Sequence, residues 1–325
     1  MPRARTVRPT DLVALVAYDG RVYPNEAMTR DRIGTETSPH PLEAALEQWF
    51  SFATGRHTWI SVKGATLRGL VSARMRGSKA AWEVDCLIDA AEDDSGVLMS
   101  LLDQVASDAG RAGAEKVFLR VASASEVVKT AGRSGFSPYL TEWLLAAPGG
   151  RRNGSNVANT AAAPGPNQGL RRWSRADAYP TFQLYNRWAP EPVRRVEAAT
   201  FREWQAARER VSPARGTRQW VVSRESRIAG WLRTAADGGL GRFELMADRS
   251  TPEMLDLLID AALVRLAEQQ ALFILAPEFA PGLRERLERR GFAQRREFVV
   301  LARRTTRPVR TPELAPATQV QTFLA

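Results

Sequence analysis

Apolar residues recur at helical spacing from Val97 through Leu98, Leu101, Leu102 and Val105 to Ala109, and the Val117-Phe118-Leu119 run behind them reads as a buried strand. The pattern returns later in the chain. Met254, Leu257, Leu258, Ala261 and Ala262 form a second helical stripe, Phe273-Ile274-Leu275 a second apolar strand, and Gly135-Phe136 is matched by Gly291-Phe292. An offset of 156 residues carries Leu98 to Met254, Leu101 to Leu257, Val117 to Phe273, Gly135 to Gly291 and Leu145 to Leu301; one of 161 carries Trp59 to Trp220, Gly69 to Gly230 and Glu83 to Glu244. Two registers held over such lengths predict an internal duplication whose halves superpose. The change of offset is expected between Glu244 and Met254.

Around the repeat, Val7 to Asp11 reads as a strand end and helix cap, followed by helices from Asp11 to Tyr18 and from Leu42 to Phe52. Strands are predicted over 58–62, 67–75 and 81–88, with the Lys63-Gly64-Ala65 turn signal between the first two. Glu126 to Ala131 is the next helix and Trp143 to Ala146 the closing strand. The second half repeats the order: strand 170–173, helices 177–185 and 192–208, strands 219–223, 227–234 and 242–246. Four segments result: a domain over 1–148, a linker over 149–168 rich in Ala, Gly and Pro, a domain over 169–304, and a disordered tail over 305–325.

At 325 residues and 44% hydrophobic the chain can bury two cores. No apolar run reaches the roughly 18 residues of a membrane span, and Leu12 to Ala17 is too short and too closely flanked by Asp11 and Asp19 for a signal peptide. A single cysteine, Cys86, makes a reducing cytoplasm the expected location. Charge divides unevenly: residues 150–325 carry 29 arginines and no lysine against 18 acidic residues. Arg284, Arg286, Arg289 and Arg290 alternate with Glu285 and Glu288, the pattern of a solvated helix face, so nucleic acid is not the expected partner. Two histidines, His40 and His57, and one cysteine are too few for a metal cluster, and no metal is expected.

The order strand, two helices, three-strand meander, helix, buried strand, helix, Gly-Phe pair and final strand, found twice, resembles the GNAT superfamily of acyl-CoA-dependent N-acyltransferases. The resemblance implies an α/β (α+β) fold class: two GNAT-like domains, each a mixed, mostly antiparallel sheet flanked by helices, packed as an intramolecular pseudo-dimer in a monomer. It also implies acetyl-CoA or another acyl-CoA as co-substrate and a small-molecule or peptide amine as acceptor.

Three family features map onto the chain. The pyrophosphate loop, Q/R-x-x-G-x-G/A, falls on Asp93, Gly96 and Leu98, where only Gly96 is kept and Glu92-Asp93-Asp94 places carboxylates toward a polyanion; its second copy falls on Arg249, Pro252 and Met254, where Arg249 is kept. The strand that pairs with pantetheine through its backbone ends at Leu87 and Ile88, and the general base is expected at Glu83, with Glu244 as its counterpart. The tyrosine that reprotonates the thiolate is replaced by Ala131 and Leu287, and Tyr139 is read as structural. The first half, with the longer third strand leading to a glycine, is expected to keep the pantetheine cleft. Two functions follow: an N-acyltransferase with degenerate loops, or a non-catalytic tandem module, a pseudoenzyme, that binds a protein, a ligand or nucleic acid.

Overall fold

The computed structural model describes residues 4–8, 11, 24–35, 56–64, 66–90, 95–149, 169–209 and 216–305. The helices expected between Asp11 and Phe52, His40, Asp93, nearly all of the linker and the tail lie outside them.

Among the described residues twelve strands make one sheet. In chain order they are β1 (Arg5–Thr6), β2 (Arg56–Lys63), β3 (Thr66–Met75), β4 (Ala81–Asp89), β5 (Lys116–Ala122), β6 (Ser137–Pro148), β7 (Leu170–Arg172), β8 (Arg218–Arg224), β9 (Arg227–Asp237), β10 (Leu240–Ala247), β11 (Ala271–Pro277) and β12 (Ala293–Arg304). Helices α1 (Ser95–Arg111) and α2 (Val127–Arg133) belong to the first half. Helices α3 (Ala178–Trp188), α4 (Glu191–Glu197), α5 (Phe201–Ala207), α6 (Glu253–Arg265) and α7 (Pro281–Arg289) belong to the second. The spatial order is β1-β2-β3-β4-β5-β12-β6-β11-β10-β9-β8-β7, so each half's last strand lies between two strands of the other half. This is a mixed sheet, antiparallel except at β4/β5 and β10/β11.

The exchange is symmetric in register. β6 and β12 run antiparallel with Phe298 opposite Glu142, its counterpart at the offset of 156, and the two register shifts skip Tyr139 and Arg295, which are also counterparts. A further symmetry appears at the start of each half. Arg5 grips Asp11 through two hydrogen bonds of 2.7 and 2.6 Å, and Arg171 grips Asp177 through two of 2.7 and 2.5 Å.

Helix α1 crosses β3 at Gly69, where a Cβ would stand 2.9 Å from Leu101 Cδ1; α6 crosses β9 at Gly230, where it would stand 2.8 Å from Met254 Sδ. Close helix packing therefore explains both glycines. The Gly-Phe pairs are helix stops: Gly135 and Gly291 take φ of 74° and 80°, and the amides of Phe136 and Phe292 reach back to the carbonyls of Ala131 and Leu287. Both phenylalanines are then buried.

Pairing corrects the alignment of the halves. Trp59 opposite Val71 and Trp220 opposite Leu232 keep the offset of 161 across β2/β3 and β8/β9. An extra residue at Asp85 in β4 and a shorter turn before β10 then change it. Glu83 lies opposite Arg74, and the residue opposite Ala235, the counterpart of Arg74, is Arg242, so Glu244 is not the counterpart of Glu83. Leu119 lies opposite Leu301 and Ile274 opposite Leu145, which makes Leu272 rather than Phe273 the counterpart of Val117. The offset thus drifts over several elements and does not change in one step after Glu244.

The expected helix over 192–208 is two helices. Thr200 caps α5 by accepting from the Glu203 amide at 3.2 Å, and Glu203 accepts from the Ala199 amide at 2.7 Å. These bonds start a new helix at Phe201 and so separate it from α4, which ends at Glu197.

Candidate functional site

On one face of the sheet, α3, α4 and α5 of the second half and the segment 24–35 of the first half enclose a buried layer of charge. Each half also has a place where its two parallel strands separate. β4 and β5 pair only over Ala81–Glu83 and Lys116–Phe118, and β10 and β11 only over Leu240–Arg242 and Ala271–Phe273. A strand-like ligand arm can enter only beyond those pairs.

In the first half that gap is filled by the chain itself. The Leu87 amide donates to Asn25 Oδ1 at 2.8 Å, the Glu26 amide donates to the Leu87 carbonyl at 2.9 Å, and the Met28 amide donates to the Arg120 carbonyl at 2.8 Å. Ala27 completes a bridge to Val121. The expectation that the first half keeps an open pantetheine cleft at Leu87 and Ile88 is therefore corrected: the polar groups of Leu87 are already used. Those of Ile88 face β3, because Ala90 donates to Arg68 and antiparallel hydrogen-bonded pairs alternate.

In the second half the gap is open. Asp248 donates to the Ala229 carbonyl at 2.8 Å, so Met246 and Glu244 are the residues bonded to β9. The N–H and C=O of Leu245 point the other way, toward β11 where it has diverged. They border a cleft of about 870 Å³, open solvent included, walled by Trp188, Trp204, Trp231 and Phe279 and reached by Glu142, Glu197, Glu244, Arg30 and Arg233.

Deep charges form a shared network. Glu209 accepts from Arg120 Nη2 at 2.8 Å and Arg30 Nε at 3.2 Å and stands 3.5 Å from Arg76; Glu142 accepts from Arg120 Nε at 2.8 Å and from Arg30. Despite the cost of burial, these arginines hold the Glu209 carboxyl well below the usual range. Arg233 bonds Glu244, whose carboxyl is also held low by that arginine and Arg30.

Glu83 belongs to this layer and not to the cleft. It is 2% exposed, accepting from Arg74 Nε at 2.7 Å and Arg76 Nε at 3.2 Å. Burial raises its pKa, against the pull of Arg74. With both oxygens taken and no place in the wall of the cleft, it is not positioned to accept a substrate proton, which corrects its assignment as general base.

The second anion loop is occupied by its own sequence. The Ser250 amide and hydroxyl donate to Asp248 Oδ1 at 3.1 and 2.8 Å, the Thr251 amide to the Asp248 carbonyl at 3.0 Å, and Pro252 has no N–H. Asp248 itself is bonded to Arg187 at 2.7 Å. Arg249 donates to the Trp188 carbonyl at 3.0 Å and lies over Phe279, at the rim of the cleft. In the first half, Gly96 is the second residue of α1, and the acidic run before it lies outside the described residues. Tyr139, at the bulge of β6, meets Phe118 edge-on. His57 stacks on Trp82 at 4.8 Å.

Reasoning from sequence missed Glu197 and Tyr185, whose hydroxyl donates to Glu197 Oε2 at 2.9 Å in the cleft. The Thr200-x-x-Glu203 spacing was the available signal, because a cap at Thr200 separates α5 from α4, which ends at Glu197.

No protein-family model and no curated protein sequence matches the chain. Solved structures do. A GCN5-related N-acetyltransferase from Sphaerobacter thermophilus superposes with a TM-score of 0.52 at 16% identity, covering 94% of this chain and 97% of that one. A tandem GNAT protein from the clavulanic acid biosynthesis pathway gives 0.48 at 15%, covering 90% and 93%, and Saccharomyces cerevisiae N-myristoyltransferase with bound myristoyl-CoA gives 0.48 at 13%, covering 93% and 79%. The chain has the GNAT fold over nearly its whole length.

Proposed function

We propose that this GNAT-fold protein is an acyl-CoA-dependent N-acyltransferase with one working cleft, in its second half. The observation that carries this reading is the contrast between Leu87, whose amide and carbonyl are bonded to Asn25 and Glu26, and Leu245, whose amide and carbonyl face an aromatic-walled cleft. An acyl-pantetheine arm pairs with Leu245 as a short additional strand, which sets its thioester beside the carboxylates of the cleft. The acceptor enters from the side of α3, α4 and α5. The GNAT fold supports the reaction class.

Thiol release from a panel of acyl-CoA donors and amines, followed with a disulfide reagent, tests the proposal. Cys86 is buried and its thiol pKa is pushed up to about 12 by burial, so the protein contributes little background. Turnover is expected for the full chain and is lost in Leu245→Pro, which deletes an amide facing the cleft and leaves the β9 ladder complete. Asp248 in the anion loop favours a second reading, a binding module without turnover. Saturable acyl-CoA binding without thiol release for any amine would establish that reading instead.

A further inference from the structure

We infer that the acceptor of the second-half cleft is an ammonium carried on an aromatic or apolar body, that Glu197 receives its proton, and that Tyr185 positions Glu197. This rests on reading the cleft as the acyl-transfer site.

A census of charge in the cleft leads to Glu197. Arg30 is taken by Glu142 and Glu209, and Arg233 by Glu244. Arg208 lies 5.0 Å over Trp204 and 5.5 Å over Trp173 and donates to Gln219 at 2.9 Å. Among the described residues Glu197 makes no ion pair; its carboxylate accepts the Tyr185 hydroxyl at 2.9 Å. Two charges lining the cleft thus lack an ion-pair partner among the described residues, Arg208, which is covered by its tryptophans, and Glu197, whose carboxylate is held in place by Tyr185. The surroundings of Glu197 are the faces of Trp188, Trp204 and Trp231, with Val193 and Leu275. Aromatic faces and one carboxylate favour a cation with an apolar body, and disfavour an anion or a strongly hydrated polar ligand.

The groups facing Glu197 are Tyr185 on α3, Arg76 after β3, Arg30, Glu142 on β6, and Tyr139 and Lys116 beside them, with Arg194 acting on Tyr185. Burial raises the Glu197 carboxyl against the pull of Arg76 and Tyr185, which makes it a better proton acceptor than an exposed glutamate. In the step, one ammonium proton passes to the Glu197 carboxylate and the amine lone pair forms a C–N bond to the thioester carbonyl carbon. The C–S bond breaks, sulfur leaves as thiolate, and the second nitrogen proton reaches it through solvent to give the thiol. Glu197 returns its proton to solvent.

The test uses the full chain without an acyl donor. Three tryptophans line the cleft, so binding is read by intrinsic fluorescence with 2-phenylethylamine, 2-phenylethanol and 3-phenylpropionate. The amine is expected to bind saturably, the alcohol about tenfold or more weakly, and the acid least. Glu197→Gln is expected to bring amine affinity down to that of the alcohol, with the thermal transition of the variant confirming its fold. Tyr185→Phe removes a hydrogen bond to the carboxylate and so is expected to move the acid limb of amine binding to higher pH, which loss of packing alone would not do. Equal binding of alcohol and amine, an unchanged affinity in Glu197→Gln, or an unmoved limb in Tyr185→Phe would overturn the assignment. Absence of acyl transfer would leave these binding results standing, so the two readings fail separately.

Discussion

Glu209 gathers three arginines, Arg30, Arg76 and Arg120, from the first half onto a carboxylate of the second. Removing one member of such a buried set leaves the others uncompensated. Glu209→Gln is expected to cost about 3–5 kcal/mol in equilibrium denaturation; a loss below about 1 kcal/mol would mean that solvent already screens the layer. Asp31 gives a pH signature. Burial opposes its charge, yet two hydrogen bonds from Arg74, at 2.8 and 2.9 Å, hold its carboxyl down to about 2. Its folded pKa is below its unfolded one, so its contribution, about 2 kcal/mol, is complete above the unfolded pKa and is lost as pH falls toward 2. Asp31→Asn is expected to flatten that part of the stability profile, measured as denaturation midpoint against pH. At this scale the sequence was least legible. Glu197 and Glu209 look like ordinary charges near the ends of polar helices, and nothing local in them encodes the sheet face that buries them.

Strands and helices were readable because their apolar periods are strong, whereas correspondence between the halves depended on single residues. A one-residue slip in a strand reverses every side chain, and that is what separates Phe273 from Val117, while a two-residue slip separates Glu244 from Glu83. The bulge at Asp85 and the shorter β9–β10 turn carry no apolar signature, so a constant offset concealed them. The anion loop has a kinetic consequence. With Ser250 and Thr251 amides bonded to Asp248, the nucleotide end of a donor gains little there. Acetyl-pantetheine is expected to match acetyl-CoA in KM within a factor of about ten, equivalent to about 1.4 kcal/mol; a preference of several hundredfold for acetyl-CoA would place a phosphate grip elsewhere on the molecule.

As a whole the molecule cannot be divided where its linker lies. β12 separates β5 from β6, and β6 separates β12 from β11, so either half alone leaves long apolar strand edges uncovered. Segments 1–148 and 169–305 expressed separately are expected to lack a cooperative monomeric transition, and to regain one when mixed; two independent transitions would show that the exchange is dispensable. In the basic second half, Arg284 pairs with Glu288, Arg286 with Asp256, Arg290 with Asp256 and Asp260, and Arg303 with Asp103. Among the described residues no helix is long and apolar enough to cross a membrane. Strand exchange was not legible in the sequence, because β6 and β12 have the same apolar pattern whichever neighbour they pair with.

Calorimetric titration of the full chain with acetyl-CoA tests most directly the proposal that the second half binds the donor while Asn25–Met28 fills the gap in the first. One molecule per chain is expected, with binding lost in Leu245→Pro and no second site gained in Asn25→Ala. Two molecules per chain, or binding that survives Leu245→Pro, would contradict it.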